Sequence, residues 1–235
     1  MTVCAERSKT LVEALGLKHE PVAITLIKKG GTAPAGYLVP DKPIRHCQAI
    51  MRARKGESLF VQADKQACPV GASSLGLTSV PEKVRSGEFH YSMGMYGSQE
   101  AARETMGRRP ALEAGSMEAT AVAPLSKAKL EPDVVVVTGT PEQMFWLLPA
   151  ASTFSVGGRV TIEMAAVQAA CADSTVIPYL TGKVNISLGC FGCRKTTDIG
   201  PDEMLVGIPG SKLGEVVSAV EKMREGPIPK SRTKG

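Results

Sequence analysis

Aromatic residues are scarce in this chain of 235 residues. Phe, Trp and Tyr together make up 4% of it, too few to build a stacking surface for single-stranded nucleic acid. The one basic run, Lys230-Ser-Arg-Thr-Lys234, is short and contains no aromatic residue, which is typical of a solvated chain end. We therefore expect no nucleic-acid partner.

Long apolar runs are also missing. None reaches the length of a membrane-spanning helix, so we expect no membrane association. The N-terminal stretch carries charges where a signal peptide needs an apolar core, which predicts a cytoplasmic protein. In a reducing cytoplasm, six cysteines indicate metal ligands or reactive thiols before disulfides.

The familiar catalytic motifs are absent as well. The sequence contains no recognisable Ser/His/Asp set, no phosphate-binding loop and no GxGxxG following a strand. Hydrolysis by a serine nucleophile and nucleotide chemistry are therefore not indicated. The cysteines are the residues that point to chemistry.

Short β-branched runs and amphipathic stretches alternate, which predicts an α/β or α+β fold. The unbroken valines of Asp133–Gly139 indicate a strand buried on both faces. A helix carrying Cys171 is predicted over Arg159–Ala172, and an extended segment over Thr175–Tyr179. The other principal predicted strands are Pro21–Ile27, Ser58–Ala63 and Lys183–Leu188.

Two parts of the chain resemble each other. Glu20-Pro21 matches Glu131-Pro132, each before a strand, and Cys68 matches Cys190 when a two-residue insertion is allowed. Chance similarity is the alternative. If the repeat is real, two similar halves with mixed sheets and flanking helices are related by a pseudo-twofold axis. The predicted halves, packed as one compact unit, are 1–116, which includes a linker, and 117–235, which carries the CxxC motif.

Cys190 and Cys193 form that CxxC on a glycine-rich turn, and thiolates at this spacing can bind one metal centre. The repeat would bring Cys68 to the same interface, and Cys171 precedes Cys190 on the preceding helix. We predict a [4Fe–4S] cluster bound by Cys68, Cys171, Cys190 and Cys193, with Cys47 as a fifth candidate ligand. If only three thiolates bind, one iron is open to substrate as a Lewis acid.

Three alternatives remain for the thiols. A structural zinc site also uses four cysteines but typically draws them from two CxxC pairs, and this chain has one. Thiol–disulfide exchange is a second alternative, but a thioredoxin-like CxxC usually opens a helix, and the residues after Cys193 do not predict one. The third is buried thiols without any metal. Cys4 is not expected to be a ligand.

Several other side chains could have either a functional or a purely structural role. Arg194 and Lys195 follow the CxxC and could bind an anionic substrate, or could be ordinary surface charges. His46 could be a ligand or proton donor, or an ordinary packed or exposed helix residue. Aromatic and methionine side chains could form a lid over a pocket or ordinary packing: Tyr91, Met93, Met95 and Tyr96.

Three segments, residues 47–77, 131–148 and 171–209, resemble the prokaryotic family called domain of unknown function 169. The resemblance extends from about Pro21 to Met223. It implies a cytoplasmic protein of anaerobic metabolism, since many members come from anaerobic archaea and bacteria, and it implies no established activity. The family pattern includes the positions of Cys68 and Cys171, whereas the Cys190/Cys193 pair is not present in every member.

The leading hypothesis is thus a cluster protein acting by redox or Lewis-acid chemistry on a small anionic substrate, as an oxidoreductase or a lyase. The alternative is a non-enzymatic accessory protein in which a cluster or zinc holds the two halves together. A small-molecule substrate or a redox partner protein is the expected partner, and homo-oligomers are compatible with the sequence.

Overall fold

The computed structural model describes residues 2–165, 167 and 169–232, so the basic run at 230–234 lies partly outside the described residues. Within them the backbone forms six strands and eleven α-helices. The strands are β1 (Val22–Lys28), β2 (Leu59–Gln62), β3 (Met117–Pro124), β4 (Val134–Gly139), β5 (Asn185–Ser187) and β6 (Met204–Pro209). The helices are α1 (Val3–Leu15), α2 (His46–Ala53), α3 (Pro69–Ser74), α4 (Glu82–Arg85), α5 (Glu88–Ser92), α6 (Gln99–Gly107), α7 (Pro141–Ala150), α8 (Ile177–Thr181), α9 (Phe191–Thr196), α10 (Leu213–Arg224) and α11 (Pro227–Arg232).

All six strands belong to one sheet, in the order β2-β3-β1-β4-β6-β5. Each neighbouring pair is antiparallel, so the fold is α+β, and the expectation of two mixed sheets was wrong. The sheet is continuous because β1 pairs directly with β4, with Ile24 opposite Val134. Just beyond this pairing, the carboxylate of Asp133 accepts a hydrogen bond from the Leu26 backbone N–H at 2.7 Å.

The sheet is buried on both faces, as its valines predict. Val134 and Val136 face one hydrophobic core, and Val135 and Val137 face the other; all four are fully buried. One core contains the apolar sides of α1, α7 and α10. The opposite core contains α2 and buried residues of the segments that carry the cysteines, such as Ala170 and Cys193. This second layer positions the candidate site.

The region before β5 differs from its prediction. Residues 159–165 are irregular, the helix predicted there begins only at Ala169, and Thr175–Tyr179 is helical rather than extended. Residues Ala169–Val176 form a π-helix that continues into α8. Thr175 has high strand propensity, but its hydroxyl donates to the Ala170 carbonyl at 2.6 Å within the helix, and its side chain is fully buried. Tertiary packing overrides local propensity here.

The residues after Cys190 also differ from expectation. They form α9, so the CxxC opens a helix, contrary to the sequence-based interpretation. Cys190 caps this helix, and its sulfur accepts the Cys193 backbone N–H at 3.4 Å. Cysteine is not among the favoured capping residues, which is why the sequence alone did not indicate a helix start.

No helix among the described residues is both long and apolar enough to cross a membrane.

A buried ion-pair network fixes the loop that follows α9. The Arg54 side chain, only 2% exposed, contacts both Glu203 carboxylate oxygens at 3.0 and 3.1 Å. It also lies 3.3 Å from the carboxylate of Asp198 and donates to the Thr138 hydroxyl. Burial opposes ionisation of Glu203, yet its pKa is lowered because the Gly200 N–H and the Arg54 guanidinium stabilise the carboxylate.

We expect Arg54→Ala to lower the free energy of unfolding by about 3–5 kcal/mol, because it leaves the mostly buried Glu203 carboxylate without its counter-charge. Arg52→Ala is the matched control. Its partner Glu57 is 41% exposed, and an exposed pair contributes only about 0–1 kcal/mol. Urea unfolding of both variants measures the difference, and equal losses would contradict a structural role for the buried pair.

Candidate functional site

Two of the predicted ligands occupy equivalent local positions, each as the N-cap of a short helix that follows a strand. Cys68 precedes α3 and accepts the Gly71 backbone N–H at 3.4 Å, as Cys190 accepts that of Cys193. This hydrogen bond orients each sulfur and would stabilise a thiolate formed there when a metal binds. Both caps are therefore prepared for metal binding or for thiol chemistry.

Cys171 reaches the same place from the π-helix. A Cβ built on Gly71 would lie 3.6 Å from the Cys68 Cβ and 3.8 Å from the Cys171 Sγ. Gly71 thus lies in van der Waals range of both cysteines, which places Cys68 and Cys171 on the same side of α3. Single π-helical turns often occur at functional sites.

Cys193 completes the group. Its Sγ lies 3.4 Å from that of Cys190, and it is hydrogen-bonded to the Cys47 thiol of α2. Cys193 and Cys47 are 4% and 7% exposed, whereas Cys68, Cys171 and Cys190 line a cleft. The structure thus brings together all five cysteines predicted from the sequence, three at the cleft and two beneath it. Cys4 packs against the opposite core.

Three of the thiols favour the protonated, neutral form: those of Cys171, Cys190 and Cys193. The hydrogen bond to Cys193, followed by burial, raises the pKa of Cys190, and burial and the neighbouring thiols raise the pKa of Cys171 well above its ordinary value. The Cys190 hydrogen bond lowers the pKa of Cys193, but the Cys47 thiol and burial outweigh it, giving about 11. Metal binding would have to release these protons, so affinity would rise with pH.

No set of three or more His, Cys, Asp or Glu side chains among the described residues has the geometry of a site for a single metal ion. The five thiols are neighbours without surrounding one point. Three uses of these thiols are therefore to be distinguished by experiment: a site for one metal ion, a cluster site and a redox-active dithiol.

A buried cation lies beside the thiols. Arg109 interacts electrostatically with Cys171, and its Nε and Nη1 have no hydrogen-bond partner among the described residues. Burial lowers the pKa of this guanidinium, whereas Cys171 raises it. An unpaired buried guanidinium is costly unless an anion offsets its charge. This residue had no distinguishing sequence signal, because it follows Arg108 in an ordinary polar segment.

Three buried titratable side chains surround the thiols. His90 lines the cleft, and burial and Arg109 lower its pKa, so it is neutral at pH 7. His46 does not line the cleft; its Nε2 lies 3.1 Å from the Thr175 hydroxyl, and burial lowers its pKa to about 4. Asp173 follows Cys171 in the π-helix, and burial raises its pKa to about 8. Sequence reasoning missed His90 and Asp173.

The cleft has a volume of about 330 Å³. Phe89, Met93 and Met95 are among its lining residues, so two residues of the suggested lid do line a pocket. Arg45 and Lys195 also line the cleft, and the Lys195 Nζ lies 5.6 Å from the centre of the Phe191 ring. Arg45, which directly precedes His46 and Cys47 in the sequence, was not identified beforehand, although that adjacency was a usable signal.

Arg194 is engaged elsewhere. Its guanidinium donates to the backbone carbonyls of Leu188, Gly200 and Glu203, and it does not line the cleft. Of the predicted substrate-binding pair, only Lys195 therefore faces the cleft. Arg194 instead holds the loops on either side of α9.

The fold and these contacts define an α+β protein with a cysteine-lined cleft at one face of a single sheet. The family model DUF169, described as "Uncharacterised ArCR", matches residues 10–219, and the chain belongs to this family. It is similar to the uncharacterized protein MJ0308 of Methanocaldococcus jannaschii, with 33% identity over 222 residues, covering 94% of each chain. The predicted family membership is thereby confirmed. No solved structure matches the chain.

We expect Arg194→Gln to destabilise the protein, because it removes charge-assisted hydrogen bonds to three backbone carbonyls, each worth about 1.5–3 kcal/mol. Lys195→Gln is the matched control and should leave stability nearly unchanged, since Lys195 is exposed. Urea unfolding and amide hydrogen exchange over residues 188–203 measure both effects. Faster exchange in the Lys195 variant but not in the Arg194 variant would contradict this assignment.

Proposed function

We propose that this chain is a [4Fe–4S] protein of anaerobic metabolism in the cytoplasm, with Cys68, Cys171, Cys190 and Cys193 as the cluster ligands. The observation that carries the proposal is the convergence of these cysteines from three separate segments on one cleft. Thiolates of a four-iron cluster bind at its corners and are farther apart than the ligands of one ion. Because the sulfurs of Cys190 and Cys193 lie 3.4 Å apart, these two side chains would have to separate to bind two corners of a cluster.

Electrostatics supports an anionic group at this position. Four thiolates with a cluster carry net negative charge, and Arg109 beside Cys171 supplies a buried positive charge with unused donors. Two backbone N–H groups already donate to Cys68 and Cys190 sulfurs, as is typical for thiolates that bind iron. Cys47, hydrogen-bonded to Cys193, remains the fifth candidate ligand.

We infer that the cluster acts by redox or Lewis-acid chemistry on a small anionic substrate, as in an oxidoreductase or a lyase. Three of the ligands line the cleft, so a substrate there would lie next to the cluster, and an iron with only three thiolates would be open to it. Lys195 faces the same cleft and is the proposed anion-binding residue. Alternatively, a redox partner protein would exchange electrons with the cluster at its exposed edge.

The internal repeat is part of this proposal. The strand order reads the same from both edges if β1, β3 and β2 correspond to β4, β6 and β5. Support also comes from Cys68 and Cys190, which cap equivalent helices, and from Pro124 and Pro209, each followed by a 3₁₀ turn. This symmetry groups β3 with the first half, which would move the boundary from 116 to the segment after Lys127.

A second candidate, a thiol–disulfide exchange protein, is favoured by one observation. The CxxC opens α9, and its sulfurs are 3.4 Å apart, so little movement would be needed to form a disulfide. The raised pKa values of both thiols argue against it, because the thiolate is the reactive form.

We expect anaerobic reconstitution with iron and sulfide to give a brown protein with about four irons and four sulfides per chain. Four-iron clusters absorb visible light, so absorption spectroscopy with iron and sulfide assays provides the measurement. A colourless, iron-free product would contradict the proposal. A Cys190–Cys193 disulfide formed on mild oxidation without metal would instead support the second candidate.

Serine variants separate a catalytic cluster from a structural metal. We expect Cys68→Ser to lower cluster content while the chain stays folded, because Cys68 belongs to neither main core and is only partly buried against a smaller apolar cluster. Cys4→Ser is the matched control and should retain the full cluster. If Cys68→Ser unfolds together with metal loss, a structural cluster or zinc between the two halves is the better explanation.

We expect Arg109→Gln to make the cluster's reduction potential more negative, because a nearby positive charge stabilises the reduced and more negative state. Arg108→Gln is the matched control, since Arg108 is exposed and paired with Glu104. Anaerobic redox titration of both reconstituted variants provides the measurement. Equal potentials would exclude Arg109 as a charge partner of the cluster.

A further inference from the structure

The charged side chains that line the cleft beside the thiols are all basic. Arg45 and Lys195 line it, and none of its described lining residues is acidic. Neither cation forms an ion pair among the described residues. His90 is neutral at pH 7, so it does not offset or add to their charge. A ligand with a negative group is therefore favoured over a neutral or cationic one of the same shape.

Most of the other side chains that line the cleft are apolar. Phe89 and Met93, each 37% exposed, and Met95 line the cleft together, so a ligand there could bury apolar surface against them. Methionines adapt their shape to a bound apolar group. The volume of about 330 Å³ is at the lower end for small-molecule sites, which favours a compact ligand.

Gly192 couples the basic side to the thiols. A Cβ at this position would lie 2.9 Å from the Arg45 Nη1 and 3.7 Å from the Cys190 Sγ. The Arg45 guanidinium and the Cys190 thiol therefore lie on the same side of Gly192, and a side chain at position 192 would displace the end of Arg45. An anionic group bound to Arg45 would lie close to Cys190.

We propose that the substrate is a compact organic carboxylate, whose carboxylate binds Arg45 and Lys195 and whose apolar body packs against Phe89 and Met93. This inference specifies the substrate of the proposed function. The reaction of that substrate depends on the proposed cluster, whereas its binding does not. A planar guanidinium can bind a carboxylate through two parallel hydrogen bonds, which an alcohol cannot reproduce.

Calorimetric titration with four probes tests the proposal: hexanoate, acetate, 1-hexanol and hexylamine. Hexanoate should bind at least about tenfold more tightly than each of the other three, since it alone has both the charge and the apolar body. The titrations use reconstituted protein and, in parallel, metal-free protein. Equal binding of hexanoate and 1-hexanol, or preference for hexylamine, would overturn the proposal.

Variants assign the two ends of the site. Arg45→Gln should weaken hexanoate about tenfold and leave 1-hexanol unchanged, and Met93→Ser should weaken hexanoate while leaving acetate unchanged. Arg103→Gln, on exposed α6, is the matched control. If Arg45→Gln fails to fold, Lys195→Gln provides the same comparison at an exposed residue. Unchanged hexanoate affinity in the folded basic-side variants would overturn the assignment.

The iron assay on each sample separates the two proposals. Hexanoate selectivity in protein that takes up no iron would support the carboxylate site and contradict the cluster. Iron uptake without hexanoate selectivity would support the cluster and overturn the carboxylate site.

Discussion

Burial of the central sheet on both faces is the constraint on which the rest of this structure depends. Four consecutive valines of β4 are fully buried, and each contributes about 1.5–3 kcal/mol relative to an exposed side chain. Because successive side chains point to opposite faces, β4 requires a helical layer on each side. The layer of α2 and the π-helix carries Cys47 and Cys171, so covering the sheet also assembles the thiols.

Once the thiol segments are packed on that face, charged side chains hold the loop after α9 in place. Arg54 enters from α2 to contact Glu203, and Arg194 satisfies carbonyls on both sides of its helix. Such carbonyls and carboxylates would be costly if left unpaired in a partly buried loop. The two arginines serve the architecture, whereas Arg45, Arg109 and Lys195 are directed toward the thiols and their cleft.

Much of the fold could be predicted from local pattern. The strand Asp133–Gly139 and its double burial followed from unbroken valines, and Ser58–Ala63 followed from alternation. The helical Thr175–Tyr179 could not be predicted, because its β-branched residues favour a strand and only packing in the second core reverses this. Helix α9 was missed because cysteine is an unusual cap, and the single antiparallel sheet was missed because strand pairing is a long-range property.

The sequence by itself determined the family, the principal strands and the five cysteines that lie together, since motif spacing and hydrophobic periodicity are local. Only the tertiary structure decided which charged side chains lie near these cysteines. Arg194 follows the CxxC in sequence yet points to backbone carbonyls, while Arg45 and Arg109 come from distant segments to lie near Cys190 and Cys171. The physical reason is that side-chain direction and charge proximity depend on how helices pack across the sheet, which no local pattern specifies.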